Sequence, residues 1–300
     1  MSGPETNLFA ALSQAIADRV AAAAPCVAGI RGGRGRTYTG ILWRADVVVA
    51  SEQTLPKEQD IKVVLPGGAE VPARIAGRDN GTNVAVLRLA GPAAPALPKL
   101  APASRAGELA LVLGWDGQAG AAARLAMIRA TGPAWHSLAG GKIDRSLRLD
   151  VRLGSDEGGP VLDASGGLIG MSTAGPRRTA LVIPAETIER VIGPLLAEGR
   201  IPRGWLGLGM QPVMIPEALQ PVAGRESGLM VLSLAAGGPA QTAGVFPGDI
   251  LLEIDGQPLA RTRAIAASLG PERIGHAIAL QVLRGGAVAT VTVIVGARPD

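Results

Sequence analysis

The sequence predicts a mainly all-β chain in two parts, preceded by a short helix. Three observations carry this. Between residues 26 and 184, short apolar runs alternate with Gly/Pro punctuation: CVAGI, GILW, VVVA, IKVVL, NVAVLRL, LALVLG, LRLDV, PVLDASGGLIGMS and TALVIP. After GRIPRG the pattern restarts at Trp205 with strands and two short helical segments, enough for a small domain of its own. The 300 residues are 47% hydrophobic and 18% charged, which supports two buried cores and argues against disorder. With aromatics at 2%, Val, Leu, Ile and Ala must build those cores. The expected division is residues 1–24 as an amphipathic helix, 25–198 as the first domain, 199–203 as a linker and 204–300 as the second domain.

In the first segment, Leu8, Leu12, Ile16 and Val20 form an i, i+4 stripe, Ser2 and Glu5 have capping-box spacing, and Pro25 ends the helix. It does not read as a signal peptide. No positive charge opens it, and Asp18 and Arg19 interrupt the apolar run. The expected location is therefore cytoplasmic, or periplasmic if the true start lies upstream. The longest uncharged stretch, between Glu226 and Asp249, contains prolines, glycines, Gln and Thr, so no membrane span is expected.

Gly67-Gly68 and Gly166-Gly167 read as hairpin turns, residues 92–106 as a crossover between two halves of the β domain, and 184–197 as a closing helix. The second domain offers strands in WLGLGM and GLMVLSL, a short helix in PAQTAG, a strand in DILLEIDG, a helix in RTRAIAASL and a final hairpin.

Charge excludes little. The net charge is +4. Arg31, Arg34 and Arg36 cluster in RGGRGR, which either touches phosphate or is a solvated hairpin loop. Tyr38 is the one aromatic beside them, and no nucleic-acid partner is expected. The single cysteine, Cys26, cannot form an intramolecular disulfide and reads as a buried thiol. Two histidines, His136 in a loop and His276 in the second domain, lack companions at ligand spacing, so neither a metal nor a cofactor is expected.

The second domain resembles a PDZ domain of the bacterial, protease-associated type. The match runs through Gly238-Pro239-Ala240, Ala243-Gly244, Pro247-Gly248-Asp249, Ile254 and Asp255-Gly256. The resemblance implies that a peptide or protein C-terminus adds as a strand beside a sheet edge. Its carboxylate would sit on the loop Trp205, Leu206, Gly207 and Leu208, with Ile265 and Leu269 on the facing helix.

The order of the two domains resembles the HtrA-type, trypsin-like serine proteases, whose fold is a double β-barrel followed by a PDZ domain. DNGTNVAVLRL and GSDEGGPVLDASGGLIGMST are similar to the family's segments around its catalytic aspartate and serine. Matched position by position, the resemblance puts the serine at Glu157, the aspartate at Asn83 and the histidine at Gln53. It puts the oxyanion-hole donors at residue 157 and Ser155. The mechanism needs a nucleophile, a base and an orienting carboxylate. Glutamine is no base, and a carboxylate at position 157 would compete for donors meant for a developing anion. The expectation is a catalytically inactive relative, not an enzyme, that binds peptides and serves as scaffold, chaperone or regulator. Two alternatives stand beside it. One is an active endopeptidase using non-standard groups. The other is a structural subunit, a homo-oligomer (trimer) or an assembly with an active relative, as the resemblance implies.

Overall fold

The structure is a computed structural model and describes residues 7–32, 36–56, 61–94, 97–117, 120–137, 139–175, 179–259, 265 and 268–299. The chain forms two compact units, residues 1–137 with 141–201, and 138–140 with 202–300.

In the first unit, helix α1 (Leu8–Ala23) leads into two closed barrels. Its cap is Asn7, whose side chain accepts from the Ala10 N–H; the expected Ser2–Glu5 box lies outside the described residues. Only half of the expected stripe is buried. Ile16 and Val20 pack on the core, while Leu8, Phe9 and Leu12 are exposed. The helix lies against the unit at its C-terminal end, where Arg19 donates to the Ala164 carbonyl.

The first barrel comprises β1 (Val27–Arg31), β2 (Thr37–Arg44), β3 (Val47–Ser51), β4 (Ile61–Val64), β5 (Glu70–Asp79) and β6 (Val84–Leu89), in the order β1-β2-β3-β6-β5-β4. The second comprises β7 (Leu109–Trp115), β8 (Ala121–Gly132), β11 (Ser146–Leu149), β12 (Pro160–Asp163), β13 (Leu168–Ala174) and β14 (Ala180–Pro184), in the order β11-β14-β13-β12-β7-β8. Between β8 and β11 a small hairpin pairs β9 (Trp135–His136) with β10 (Lys142–Ile143). His136 therefore lies in a short strand rather than in the loop expected from sequence.

These strands read as continuous apolar runs because successive residues face two different cores. In β3, Val48 and Ala50 fill the first barrel, while Val47 and Val49 face a second core. In β7, Ala110 and Val112 fill the second barrel, while Leu111 and Leu113 face that same second core. The shared core is completed by helix α2 (Ala185–Glu198), which buries Ile188, Val191, Ile192 and Leu195 at i, i+3, i+4 and i+7. Each such side chain contributes roughly 1.5–3 kcal/mol on burial. The helix ends at Gly199, left-handed with φ 76°, whose N–H bonds back to Leu195.

In the second unit, β15 (Gly204–Trp205) pairs with β22 (Gly296–Ala297). The main sheet runs β16 (Leu208–Met214), β17 (Ser227–Leu234), β18 (Ile250–Ile254), β20 (Ala277–Arg284), β21 (Ala287–Ile294), with β19 (Gln257–Pro258) on β18. Helices α3 (Gln220–Ala223) and α4 (Pro239–Thr242) are single turns. Asp255 and Gly256, with φ of 47° and 74°, make the expected two-residue hairpin turn. Of the expected helix RTRAIAASL, Ile265 and Ser268 are helical, and residues 261–264 and 266–267 lie outside the described residues. Asp249 is fully buried and is held by Arg284, which also lies over the Phe246 ring at 4.7 Å. Among the described residues, no helix is long and apolar enough to cross a membrane.

Candidate functional site

Two places in the molecule collect the residues singled out from sequence. The first is the turn before β12. Gly158 and Gly159 are there because no side chain fits. Gly158 has φ 91°, and a Cβ on it would stand 2.5 Å from the Thr39 carbonyl oxygen. A Cβ on Gly159 would stand 1.8 Å from the Leu113 carbonyl oxygen. The turn is tied down on both sides. Gly158 N–H donates to Ser172 O and Ser172 N–H to Gly159 O, each at 2.9 Å. The Thr39 hydroxyl donates to Ser155 O at 2.5 Å and accepts from the Trp115 N–H at 2.8 Å. Buried Asp156 accepts from Arg124 Nε at 2.9 Å and from the Gly154 N–H at 2.6 Å. Asp156 and Glu157 thus point to different partners, although they follow one another in a turn rather than on an extended chain.

Glu157 turns toward the end of β3. Its Oε1 accepts from the Ser51 hydroxyl at 3.1 Å, Gln53 Nε2 at 2.5 Å, the Thr173 hydroxyl at 3.4 Å and the Ala174 N–H at 3.1 Å. The carboxylate was expected to compete for the donors of residues 155 and 157. It bonds instead across the cleft, where four donors converge on one oxygen. The Glu157 N–H itself donates, at 3.3 Å, to the Gly154 carbonyl within the turn.

Asn83 completes the group. Its φ of 56° is left-handed, a conformation Asn tolerates, and the preceding turn is capped by buried Asp79, which accepts from the N–H groups of Gly81 and Thr82. Asn83 Nδ2 donates to Ser51 Oγ at 2.9 Å and Thr173 Oγ1 at 2.5 Å, and its Oδ1 accepts from the Gln53 N–H at 2.8 Å. The structure therefore brings Gln53, Asn83 and Glu157 into one hydrogen-bonded cluster, while Ser155 stays exposed on the turn. Sequence reasoning missed Thr173 and Ala174, which lie 90 and 121 residues from their partners Asn83 and Gln53.

The second place is a cavity of about 180 Å³ in the unit of residues 202–300. Trp205, Leu206, Gly207, Leu208, Ile265 and Leu269 all line it, with Met210, which the sequence did not mark. Leu206 and Gly207 direct their carbonyls inward, to the N–H groups of Ala240 and Ala235 at 2.9 Å each. Gly207, at φ 75°, turns the chain so that its own N–H and that of Leu206 find no acceptor among the described residues. Strand β16 follows at the edge of the sheet, paired with β17 on one side.

Comparison with known proteins matches these two places to two families. A trypsin-like peptidase domain matches residues 38–171 and a PDZ domain matches residues 206–295. A protein of Rhizobium meliloti (strain 1021), named "Probable periplasmic serine endoprotease DegP-like", is 28% identical over 247 residues, 79% of this chain and 48% of that protein. One of the same name from Pseudomonas savastanoi pv. phaseolicola is 27% identical over 262 residues, covering 84% of this chain and 54% of that protein. The chain spans about half the length of the curated relatives it matches. Among solved structures, "HtrA-type protease AlgW with decapeptide" has TM-score 0.76 and 25% identity, covering 95% of this chain and 99% of that one. The same protease with a tripeptide has TM-score 0.75 and 28% identity, covering 95% and 97%.

These relatives correct two expectations. The chain was expected not to be an enzyme, yet the relatives are named serine endoproteases and the structural neighbours are HtrA-type proteases. The expectation rested on three side chains, and their replacement removes one mechanism without removing every other. A cytoplasmic location was expected as well, and the relatives are named periplasmic.

Proposed function

The chain is an HtrA-type protein, a trypsin-like peptidase domain followed by a PDZ domain, and on that premise we propose that it captures polypeptides by their C-termini. The observation that carries this reading is the loop Leu206-Gly207, with two N–H groups that have no acceptor among the described residues, beside an apolar cavity and a free sheet edge. Such N–H groups suit a carboxylate, and an edge strand suits an extended chain. The structural neighbours, an HtrA-type protease with a decapeptide and with a tripeptide, support the same reading. Peptides ending in an aliphatic residue are expected to bind the full chain as free acids and at least about tenfold more weakly as amides, since the amide lacks the charge-assisted pairing. Equal binding of acid and amide, measured by titration calorimetry, would remove the carboxylate from the argument. Absence of binding at millimolar concentration would remove the function.

A second reading is favoured by the names of the relatives: endopeptidase activity, in the periplasm, with groups other than the usual three. In the cleft, Glu157 has Oε1 engaged by four donors, while Oε2 takes none among the described residues. That oxygen is a base within reach of a water molecule. Water would add to the peptide carbonyl, its proton passing to Oε2 and then to the departing amine as the C–N bond breaks. Ser51 is a poorer choice of nucleophile because it is fully buried, with its hydroxyl held by Asn83 and Glu157. Casein turnover that disappears in Glu157→Gln supports the water mechanism. Turnover accompanied by serine-directed fluorophosphonate labelling replaces it with a serine, and absence of turnover rules this reading out.

A further inference from the structure

The residues of an antiparallel strand alternate, each directing both its N–H and its C=O to one side or the other. In β16 the two ends fix which residues face which way. The Gly207 carbonyl accepts from the Ala235 N–H, and the Ile215 N–H donates to the Glu226 carbonyl at 2.7 Å, so residues 207 and 215 both face β17. The register slips once, between Gly209, opposite Ser233, and Met210, opposite Val231. The extra residue there is Leu232, on β17, so β16 keeps its alternation throughout. Odd-numbered residues therefore face the sheet, and Leu208, Met210, Pro212 and Met214 offer their main chain to the open edge.

Proline has no N–H. The third of the four edge positions can accept a hydrogen bond but cannot donate one. We propose that Pro212 restricts the peptide seated on this edge to a short C-terminal footprint, with main-chain pairing unbroken only across Leu208 and Met210. The proposal rests on the peptide-capture reading above and sets its ligand class: short aliphatic C-termini whose upstream sequence is not read. A peptide running antiparallel to β16, with its carboxylate at Leu206 and Gly207, sets its last residue against Leu208 and its third from last against Met210. Its fifth from last meets Pro212, where the peptide carbonyl has no donor. An unpaired carbonyl at an interface is a loss, so residues upstream of the fourth position contribute little.

The test uses the full chain and N-acetylated peptides of three, four, six and eight residues, all ending Ser-Val-Leu as free acids and extended upstream with Ala and Ser. Affinity is expected to stay within about twofold from four residues to eight. Pro212→Ala restores the missing donor, and the eight-residue peptide should then bind about three- to tenfold more tightly than to the parent chain. The three-residue peptide should bind both chains equally, which also reports that the variant is folded. Affinity of the parent chain that climbs steadily from four residues to eight overturns the proposal and leaves peptide capture standing. So does a variant that gains nothing for the long peptide. If none of the acids binds the parent chain, the capture reading falls and the proposal falls with it.

Discussion

The cleft of the barrel unit and the groove of the PDZ unit treat their polar groups in opposite ways. In the cleft, Ser51, Gln53, Asn83, Glu157 and Thr173 satisfy one another, and one carboxylate oxygen gathers four donors. In the groove, the polar groups that matter belong to the main chain, and two N–H groups of the Leu206-Gly207 loop have no acceptor among the described residues. A site that must receive a ligand keeps hydrogen-bonding groups without internal partners. In the cleft, one side-chain atom is left in that state: Glu157 Oε2, which takes no donor among the described residues.

The comparison can be broken by a single methyl group. Gly159→Ala puts a Cβ 1.8 Å from the Leu113 carbonyl oxygen, against main chain that has no room to yield. Destabilisation of the barrel unit by about 4 kcal/mol or more is expected in thermal or denaturant unfolding. Peptide binding at the groove should survive at temperatures where the variant's barrels remain folded. Binding lost under those conditions would show that the groove depends on the cleft.

A smaller effect sharpens the same contrast through pH. Burial pushes the Asp144 carboxyl up, but hydrogen bonds from Arg190 and Thr187, with the charges of Arg190 and Lys142, outweigh it and hold it below the usual range. A carboxylate lowered in the folded state adds stability above its unfolded value, near pH 3.9, and loses it as pH falls through the folded value. The barrel unit should lose stability from this group as the pH falls below about 4. Asp144→Asn should flatten that part of the acid limb, as followed by calorimetry. An unchanged limb would assign the acid sensitivity to other carboxylates.

Much of the fold was legible because punctuation and apolar runs are local signals. VVVA, ALVIP and the Gly pairs at 67 and 166 each announce a strand or turn within a few residues. The pair Gly158-Gly159 was legible only through resemblance, since nothing local says that Leu113 passes beneath it. The direction of Glu157 was not legible at all. It is decided by Thr173 and Ala174, on the strand beyond the next hairpin, and by a loop more than a hundred residues away. The α1 stripe was legible as an apolar face, but periodicity does not say how much of it finds a partner, and Leu8 and Leu12 stay exposed. Pro212 was visible from the start as a residue that breaks pairing, but which side of the strand it breaks required the register of β16.

The core shared by the two barrels has a consequence for how the chain is made. Val49, Leu113 and Met171 lie far apart in sequence, and the helix that joins the same core, with Ile188, Val191, Ile192 and Leu195, is the last element of the unit. Synthesis runs from the N-terminus, so all twelve strands of the two barrels leave the ribosome before α2 can complete this core. Contacts of such long sequence separation also form slowly. A chain that stops before α2 lacks Ile188, Val191, Ile192 and Leu195, so β5, β6, β13 and β14 are left without the helix that packs on them.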